Sequence, residues 1–418
     1  MNILIISYSY PPSNAPAAQR PYYMAKHLSE LGWDVTVFTD LNSISSLGYS
    51  EIIPLKNVKV ISTSGTFKGS AVSKVHSNYK KASSKWKFVT WVKRLLMIPD
   101  RGVVWFPSAI KEIKKMDLSN FDVVYSTSPS FINHILAKRV KKINPEINWA
   151  ADFRDFHYIH AREKSNSIRK FLDKKHERTI LSKANVLTFI SSQMLQLYTE
   201  DYPSIVSKSH VVINGFDPEL GTNAIESCKS DKLVITYAGS FYGGIRSPFP
   251  LFELLEELLN QNKISLNKIE INIAGLVPAN IEAKLKQFNA YRATIFHGIV
   301  SKKEVYKLYQ RSYLLWLIVG NEVSHYSGFP IKVFEYIGFN KRILAYTPVK
   351  SEIEQLIKEL DCGLCFGYEV NDIQRNEFMH HYNLFINGES SASISIDKLK
   401  LENYTKKKQA IRLTEILR

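Results

Sequence analysis

Short runs of hydrophobic residues alternate along the whole chain with stretches in which apolar residues recur every three or four positions. The first run, Ile3 to Ser7, predicts a buried strand, and the pattern after it predicts a helix that Gly32 ends. The same patterns predict strands at Val35 to Thr39, Val123 to Tyr125, Trp149 to Ala151, Val186 to Ile190, Leu233 to Ala238, Ile269 to Ala274, Thr294 to His297, Leu314 to Ile318 and Ile343 to Tyr346, and helices at Ser167 to Lys183, Leu251 to Leu259 and Ser351 to Leu360. Strands that alternate with helices form parallel sheets, so the pattern predicts an α/β fold.

The length of the chain, 418 residues, predicts more than one hydrophobic core. A seam between two series of strands lies near Asp201 to Gly215. We therefore predict two doubly wound, Rossmann-like domains, residues 1–205 and 206–400. Ligands of such sheets bind at the carboxyl ends of the strands, so the loops there are the candidates for chemistry.

The net charge of +16 is distributed unevenly, because Ile52 to Pro99 contains ten Lys or Arg residues and no acidic residue. Basic residues alternate with tryptophans in the part of this segment that contains Lys85, Lys87, Lys93 and Arg94. This composition suits an anionic membrane surface. A solvated loop followed by a core-facing helix fits it equally well. No nucleic-acid recognition motif accompanies the basic residues, so no nucleic-acid partner is expected.

Several features bear on the compartment. The three cysteines are too few for a disulfide framework, which predicts a reducing environment, and Cys362 with Cys365 suits buried small side chains better than a zinc site. No basic region precedes the first apolar run, so no signal peptide is predicted. The longest apolar run, Tyr313 to Val319, is far shorter than the ~20 residues that cross a bilayer. We expect a cytoplasmic protein, with attachment to the inner face of the plasma membrane as an option.

The loop after the first strand passes through Pro12 and Ser13 and reaches Arg20, where a helix begins. A connection that only has to turn could be shorter and need not carry a charge, so this loop is a candidate for a function.

Two later loops carry glycines beside a cation. The exit from Leu233 to Ala238 contains an arginine and four small residues, Gly239, Ser240, Gly243, Gly244 and Arg246. The second loop begins at Gly328 and leads through Pro330 to Lys332 and Glu335 on one helix face. Glycines allow close approach of the backbone, and a helix N-terminus beside a lysine attracts a diphosphate. A surface Lys–Glu pair is the alternative for the last two residues.

Taken in order, these motifs resemble the retaining glycosyltransferases of family 4, in particular a bacterial subgroup that builds surface polysaccharide. The resemblance covers essentially the whole chain and is carried by Tyr10-Pro11-Pro12, Arg20, Gly32-Trp33, Asp100, Trp105-Phe106-Pro107, Tyr125 to Pro129, His134, Asp152 to Asp155, Asn214 to Asp217, Gly239 to Arg246, His297-Gly298 and Gly328 to Tyr336. Two positions depart from the family: Ser13 to Pro16 replace its usual Gly-Gly pair, and Ser327 replaces the first of its paired glutamates. That glutamate touches the donor sugar in the family.

The resemblance implies the glycosyltransferase B fold, with two Rossmann-like domains facing each other across a cleft. It also implies that residues 401–418 form a helix that completes the N-terminal domain. That domain would bind the acceptor, and the C-terminal domain would bind a nucleotide-diphosphate sugar. The implied activity is retaining transfer of the sugar to a glycan or polyprenyl-linked acceptor in capsule, exopolysaccharide or O-antigen synthesis, without metal or cofactor.

The resemblance also assigns roles to residues. Arg246 and Lys332 would stabilise the leaving diphosphate, and Glu335 would hold the ribose. Asp155 is the N-terminal catalytic candidate. Acceptor or cleft positions are Pro12, Ser13, Arg20, Ser128, His134 and Arg154. In the fold that the chain resembles, the prolines would stiffen the first loop, its small residues would leave room for a sugar, and Arg20 would reach a phosphate or the acceptor. Three alternatives stay open: Arg20 pairs with a carboxylate at the domain surface, His134 packs in the core, and Arg154 pairs with a neighbouring aspartate.

Three other classes of protein fit the sequence less well than a transferase. A nucleotide-sugar epimerase of the same fold needs a dense set of carboxylates around the sugar, and the sequence does not supply one. A dinucleotide-dependent oxidoreductase needs Gly-x-Gly-x-x-Gly after the first strand, where a proline-rich loop stands. A non-catalytic membrane or polysaccharide-binding module leaves the motifs of both halves without a purpose.

Overall fold

The computed structural model describes residues 1–13, 15–40, 55–63, 97–158, 167–220, 230–388, 394 and 396–418. The chain divides into two compact units. Unit 1 comprises Met1–Ile213 and Lys406–Arg418, and unit 2 comprises Asn214–Thr405. The basic tryptophan segment with Lys85, Lys87, Lys93 and Arg94 lies outside the described residues.

Unit 1 is built on a seven-stranded parallel sheet with the order β3-β2-β1-β4-β5-β6-β7. Its strands are β1 (Asn2–Ile6), β2 (Asp34–Asp40), β3 (Val58–Thr63), β4 (Val123–Thr127), β5 (Asn148–Phe153), β6 (Val186–Phe189) and β7 (Ser209–Val211). Its helices are α1 (Gln19–Glu30), α2 (Phe106–Ile113), α3 (Ile132–Ile143), α4 (Ser167–Lys183), α5 (Ser192–Asp201) and, from the end of the sequence, α14 (Lys406–Leu417).

Alternate residues of the strands point to opposite faces of this sheet, and each face has its own core. Ile3 and Ile5 pack with the apolar residues of α1 and α14. Leu4 and Ile6 pack with those of α2, α3 and α4. Unit 1 is therefore a three-layer structure in which the last helix of the sequence completes the layer that contains α1.

Unit 2 is built on a six-stranded parallel sheet with the order β10-β9-β8-β11-β12-β13. Its strands are β8 (Leu233–Ala238), β9 (Ile269–Ala274), β10 (Thr294–Gly298), β11 (Leu314–Ile318), β12 (Arg342–Tyr346) and β13 (Gly363–Phe366). Its helices are α6 (Phe249–Asn260), α7 (Ala279–Leu285), α8 (Lys302–Arg311), α9 (Val323–Tyr326), α10 (Ile331–Gly338), α11 (Glu352–Glu359), α12 (Asp372–Ile386) and α13 (Lys398–Glu402). The strand order reverses between β8 and β11, so the exits of these two strands diverge at a topological switch point.

The predicted strands are all present, and the predicted α/β fold with two doubly wound sheets is confirmed. In the sheet of unit 1, the two edge strands β3 and β7 were not predicted. Only Val58 of β3 is buried, so this strand lacks the apolar run that the prediction requires. The helix expected over 401–418 is interrupted, because the Tyr404 carbonyl accepts a hydrogen bond from the Phe216 N–H (2.8 Å) and α14 begins only after Thr405.

None of the helices in the described ranges is long and apolar enough to cross a bilayer.

Candidate functional site

The exit of β8 places a lysine against bare backbone. Lys332, in the first turn of α10, donates from Nζ to the Ala238 carbonyl oxygen, and Nζ lies 5.0 Å from the centre of the Tyr237 ring. A Cβ on Gly239 would overlap this Nζ, and the φ of Gly239 is +157°. The backbone conformation here favours glycine, and a side chain at this position would displace the lysine from the carbonyl.

A second glycine, Gly275 at the end of β9, supports the first. A Cβ at Gly275 would overlap the Gly239 carbonyl oxygen, and Gly275 has a φ of +131°. The Gly239 N–H donates to the Ala274 carbonyl at 2.8 Å, and the Gly275 N–H donates to Gly298 at 2.7 Å. The exits of β8, β9 and β10 thus lie in direct contact. We did not predict Gly275, although Ala274-Gly275 repeats the Ala238-Gly239 pattern.

Arg246 lies beyond the glycine turn that follows β8. Its guanidinium carbon is 4.4 Å from the centre of the Tyr242 ring, and its buried Nε has no hydrogen-bond partner among the described residues. Gly243 and Gly244 have φ values of +67° and +104°, which lets the chain turn tightly here. The Ser240 side chain accepts a hydrogen bond from the Tyr242 N–H at 3.2 Å and so fixes the start of the turn.

The charges around Lys332 change its protonation. Burial, together with the positive field of Arg246, lowers the pKa of Lys332 to about 7, while Glu335 acts in the opposite direction. The two cations therefore act on each other at the carboxyl edge of β8. An anion bound between them would relieve their repulsion and favour the charged lysine.

The start of α10 carries the remaining predicted donor residues. Pro330 occupies the N-cap position without a side-chain hydrogen bond, and Gly328 is half-buried two residues before it. Glu335 does not pair with Lys332; its carboxylate lies 3.7 Å from Lys302 Nζ, and its side chain is 15% exposed. The carboxylate is thus oriented by a neighbouring helix and keeps some contact with solvent.

The structure corrects our expectation for Arg20 in unit 1. Its Nε and Nη2 donate to the two oxygens of Asp152, both at 2.8 Å, and both side chains are buried. Its remaining donors reach the carbonyls of Val212 (2.8 Å) and Ile213 (2.6 Å). A guanidinium engaged in this way holds α1, β5 and the segment after β7 together, so the alternative of a carboxylate partner is the one observed.

His134 is the second correction. It is fully buried, a ring nitrogen lies 2.9 Å from the Ser126 hydroxyl, and the ring stacks on Phe153 at 4.9 Å. Burial lowers its pKa to about 3, so the ring is neutral at physiological pH. His134 is a core residue of the layer that contains α3.

Arg154 differs from Arg20 because part of its guanidinium is unsatisfied. Nη1 donates to the carbonyls of Ala17 (3.1 Å) and Ser128 (3.0 Å), and the Ser128 hydroxyl accepts the Arg154 N–H at 2.8 Å. Its buried Nε has no partner among the described residues, and the residue is 8% exposed. Neither Asp155 nor Asp152 pairs with it in the described contacts. These hydrogen bonds therefore fix Arg154 and Ser128 relative to each other, and we call the two residues the Arg154–Ser128 pair.

Asp155 follows the carboxyl end of β5 and is next to Arg154 in the sequence. Its side chain is exposed. Ser13 is buried and its N–H donates to the Tyr10 carbonyl at 3.0 Å, whereas Pro12 is exposed. The structure thus keeps Asp155 and Pro12 open to solvent.

Among the residues that the structure describes, potential metal ligands and thiols add little to the candidate site. No group of three His, Cys, Asp or Glu side chains in the described ranges is arranged to hold a metal ion. Cys362 and Cys365 are free thiols, and burial raises the pKa of both to about 12. Such thiols are protonated and unreactive at neutral pH.

No protein-family model and no curated protein matches this sequence. Solved structures do match its fold. Sucrose-phosphate synthase from Thermosynechococcus elongatus has a TM-score of 0.63 at 12% identity, over 99% of this chain and 98% of its own. A trehalose-6-phosphate structure from E. coli bound with UDP-2-fluoro glucose has a TM-score of 0.60 at 11% identity, over 100% and 99%. A glycosyltransferase from Rickettsia africae has a TM-score of 0.58 at 13% identity, over 100% and 97%. The fold is therefore of the glycosyltransferase B type.

Proposed function

We propose that the protein is a glycosyltransferase that moves a sugar from a nucleotide-diphosphate sugar to a glycan acceptor, with retention and without a metal. The observation that carries this proposal is the pair of interacting cations, Arg246 and Lys332, at the carboxyl edge of β8. The similarity in fold to a structure bound with UDP-2-fluoro glucose supports it.

The diphosphate of the donor would occupy the space beside this pair. The buried Nε of Arg246 lacks a partner among the described residues, and Lys332 sits in the first turn of α10. A phosphate oxygen would satisfy that donor and favour the charged lysine. The backbone at Gly239, Ser240, Gly243 and Gly244 would allow the phosphates to approach closely.

The rest of the donor would lie along the start of α10. Glu335 lies 3.7 Å from Lys302 and its side chain is 15% exposed, so its carboxylate can accept hydrogen bonds from ribose hydroxyls. Gly328 and Pro330 present backbone without bulky side chains before this helix.

The cation pair would also supply the catalysis. Negative charge grows on the diphosphate as the glycosidic bond breaks, and fixed cations stabilise this charge more in the transition state than in the ground state. In unit 1, Asp155 would orient the acceptor hydroxyl or the sugar. It follows the Arg154–Ser128 pair, which is fixed by hydrogen bonds. Pro12 and Ser13 would shape the acceptor site.

The acceptor would be a lipid-linked glycan, as in the synthesis of a surface polysaccharide, with the enzyme on the cytoplasmic face of the membrane. This part rests on the resemblance in sequence. An epimerase acting on the same donor remains the alternative, and it would convert the donor without any acceptor.

The donor site is tested by thermal unfolding with UDP-, GDP- and dTDP-sugars, without added metal. Arg246→Ala and Lys332→Ala are expected to abolish the stabilisation that a selective donor gives the wild type. Lys286→Ala removes a cation of α7 that pairs with Glu282 (3.1 Å), and this control should respond like the wild type. Equal stabilisation of all four proteins would refute the site.

A turnover assay with the donor so identified distinguishes transfer from epimerisation. Transfer requires an acceptor and gives a product with the anomeric configuration of the donor. Conversion of the donor alone would favour the epimerase.

A further inference from the structure

The outer face of α3 and α4 has an unusual distribution of charge. Within α3 there are four cations and no acidic residue. Within α4 there are six cations and two acidic residues, Asp173 and Glu177, and both acids are fully buried. The solvent side of these two adjacent helices therefore carries positive charge alone.

The two acids of α4 are engaged inside unit 1. Asp173 accepts a hydrogen bond from Arg169 Nε at 3.2 Å, and Arg169 is itself 15% exposed. Glu177 accepts from the Tyr198 hydroxyl at 3.0 Å and from the Tyr158 N–H at 2.9 Å. Neither carboxylate is available to neutralise the cations on the outer side of the helix.

The outer cations are close enough to repel one another. Burial lowers the pKa of Lys138 on α3, and the positive fields of Arg139 and Lys175 lower it further. Lys175 belongs to α4, so this repulsion acts between the two helices. An anionic surface held against the face would remove it.

Large apolar side chains stand among these charges. Ile168 is 56% exposed and Phe171 is 66% exposed. With Lys175 and Arg178, which are also exposed, they recur at intervals of three or four residues and so follow one stripe along α4. We call these four residues the α4 stripe. Exposed apolar residues followed by cations are typical of helices that lie in a membrane interface.

We propose that the outer face of α3 and α4 docks on an anionic phospholipid surface, with the α4 stripe at its centre. Ile168 and Phe171 would enter the interface between headgroups and acyl chains, and the cations would contact the lipid phosphates. The inference deepens the proposed function and rests on its lipid-linked acceptor for its purpose, but binding to lipid is measured without donor or acceptor, so the two can fail independently.

The position of the stripe fits a substrate that is held in a membrane. The crossover helix α4 begins at the carboxyl edge of the unit 1 sheet, where β5 ends and where Arg154 and Asp155 lie. Arg169, beside Ile168, donates from Nη2 to the Pro99 carbonyl at 2.9 Å and fixes this end of the helix. The apolar end of the stripe therefore lies at the same edge of the sheet as the proposed acceptor residues.

The test is cosedimentation of the full chain with vesicles of phosphatidylcholine alone, and with vesicles of equal parts phosphatidylcholine and phosphatidylglycerol. We expect binding only to the second, and weaker binding at high salt. Lys175→Gln with Arg178→Gln should lower the partition coefficient about thirtyfold, at ~1 kcal/mol per lost cation. Ile168→Ser with Phe171→Ser should lower it about tenfold.

The matched control removes one lysine and one arginine from α14, which packs on the opposite face of the sheet. Lys407→Gln with Arg412→Gln should bind vesicles like the wild type, and all variants should keep the thermal unfolding temperature of the wild type. An equal loss in this control would mean that net charge alone drives binding, and would overturn the proposal. Binding to single-stranded RNA but not to vesicles would also overturn it, as would unchanged binding of both stripe variants.

Discussion

Lys332 is the residue whose surroundings bear most directly on its proposed role, the binding of the donor diphosphate. Its amine lies on the Ala238 carbonyl and near the Tyr237 ring, within the positive field of Arg246. The lysine is therefore only partly protonated at neutral pH when no anion is present. A bound diphosphate favours the charged form, so binding takes up a proton.

This linkage predicts the pH dependence of donor binding. Because the pKa of Lys332 is about 7 in the free protein, affinity should be greatest below pH 7 and should fall as pH rises above it, by up to about tenfold per pH unit. Isothermal titration with the donor in buffers of different ionisation enthalpy measures both the affinity and the protons taken up. Lys332→Arg keeps its charge, so an equal fall with pH in this variant would contradict the mechanism.

The same lysine should weaken the folded state. Its folded pKa lies below the unfolded value of 10.5, so the unfolded chain holds the proton more tightly between about pH 7 and 10.5. We expect Lys332→Met to raise the free energy of unfolding by about 1–3 kcal/mol at pH 6 while it abolishes donor binding. The gain should shrink as pH rises above 7, which urea unfolding at several pH values measures. A destabilised variant would show that Lys332 is a structural residue.

Arg20 has the opposite character, because its charge is fully paired. Arg20 and the hydroxyls of Thr127 and Thr188 hold the pKa of Asp152 below its usual range, although burial acts in the other direction. Arg20→Ala would leave a buried carboxylate without its partner, and should cost about 3–5 kcal/mol of stability. Urea unfolding of this variant, compared with Lys115→Ala in an exposed pair with Glu112, checks the expectation. The exposed pair should cost less than about 1 kcal/mol.

Among the elements, the loops after the strands show which parts of the proposed site can be predicted from the sequence. Glycines beside Arg246 and Lys332 predicted a donor site, because glycine and charge leave local signals. Arg20 gave no local signal of its role, because its partner Asp152 is 132 residues away in the sequence. We also did not predict that Tyr237 lies beside Lys332. In a buried strand, a tyrosine cannot be distinguished by its position from any other apolar residue.

The contact between β8 and α10 can be tested by adding one carbon atom. Gly239→Ala should displace Lys332 from the Ala238 carbonyl and lower kcat/KM roughly a hundredfold, as expected for a misplaced catalytic group. Gly388→Ala is a control, since this glycine also has a positive φ (+70°) but nothing lies within 4 Å of a Cβ there. Steady-state kinetics of both variants provide the measurement. Similar kinetics for the two would mean that the contact of Lys332 with the end of β8 has no role in activity.

For the whole molecule, the alternation of strands and helices predicted both sheets and their parallel character. Composition contributed differently: the charge of +16 indicated an anionic partner, and its distribution pointed to the basic segment Ile52 to Pro99, much of which lies outside the described residues. The face of α3 and α4 that we propose appears only when the helices are folded, because Asp173 and Glu177 of α4 are then buried while most of its cations remain outside. The fold decides which charged residues are buried and which face solvent, and a count of charges along the sequence does not show this.

The division into units also predicts where damage to α14 is felt. Leu413 is fully buried in the core that α14 shares with α1, so Leu413→Ala should destabilise unit 1 by about 2–5 kcal/mol. Hydrogen exchange should accelerate in β1 and α1 and stay unchanged in β8, which belongs to unit 2. Leu399→Ala, at a residue that is 77% exposed on α13, should change stability by less than about 0.5 kcal/mol. Faster exchange in both units would contradict this division.

The return of α14 to unit 1 has a consequence for synthesis on the ribosome. All of Asn214–Thr405 is translated before Lys406–Arg418, so the first unit to begin emerging is the last to be completed. Until then, the side of α1 that packs on α14 stays uncovered. A nascent chain in this state exposes an apolar helix face for the whole time that unit 2 is made, which is the kind of surface that chaperones bind. Premature termination within unit 2 would therefore leave the N-terminal sheet, although fully translated, without its last layer.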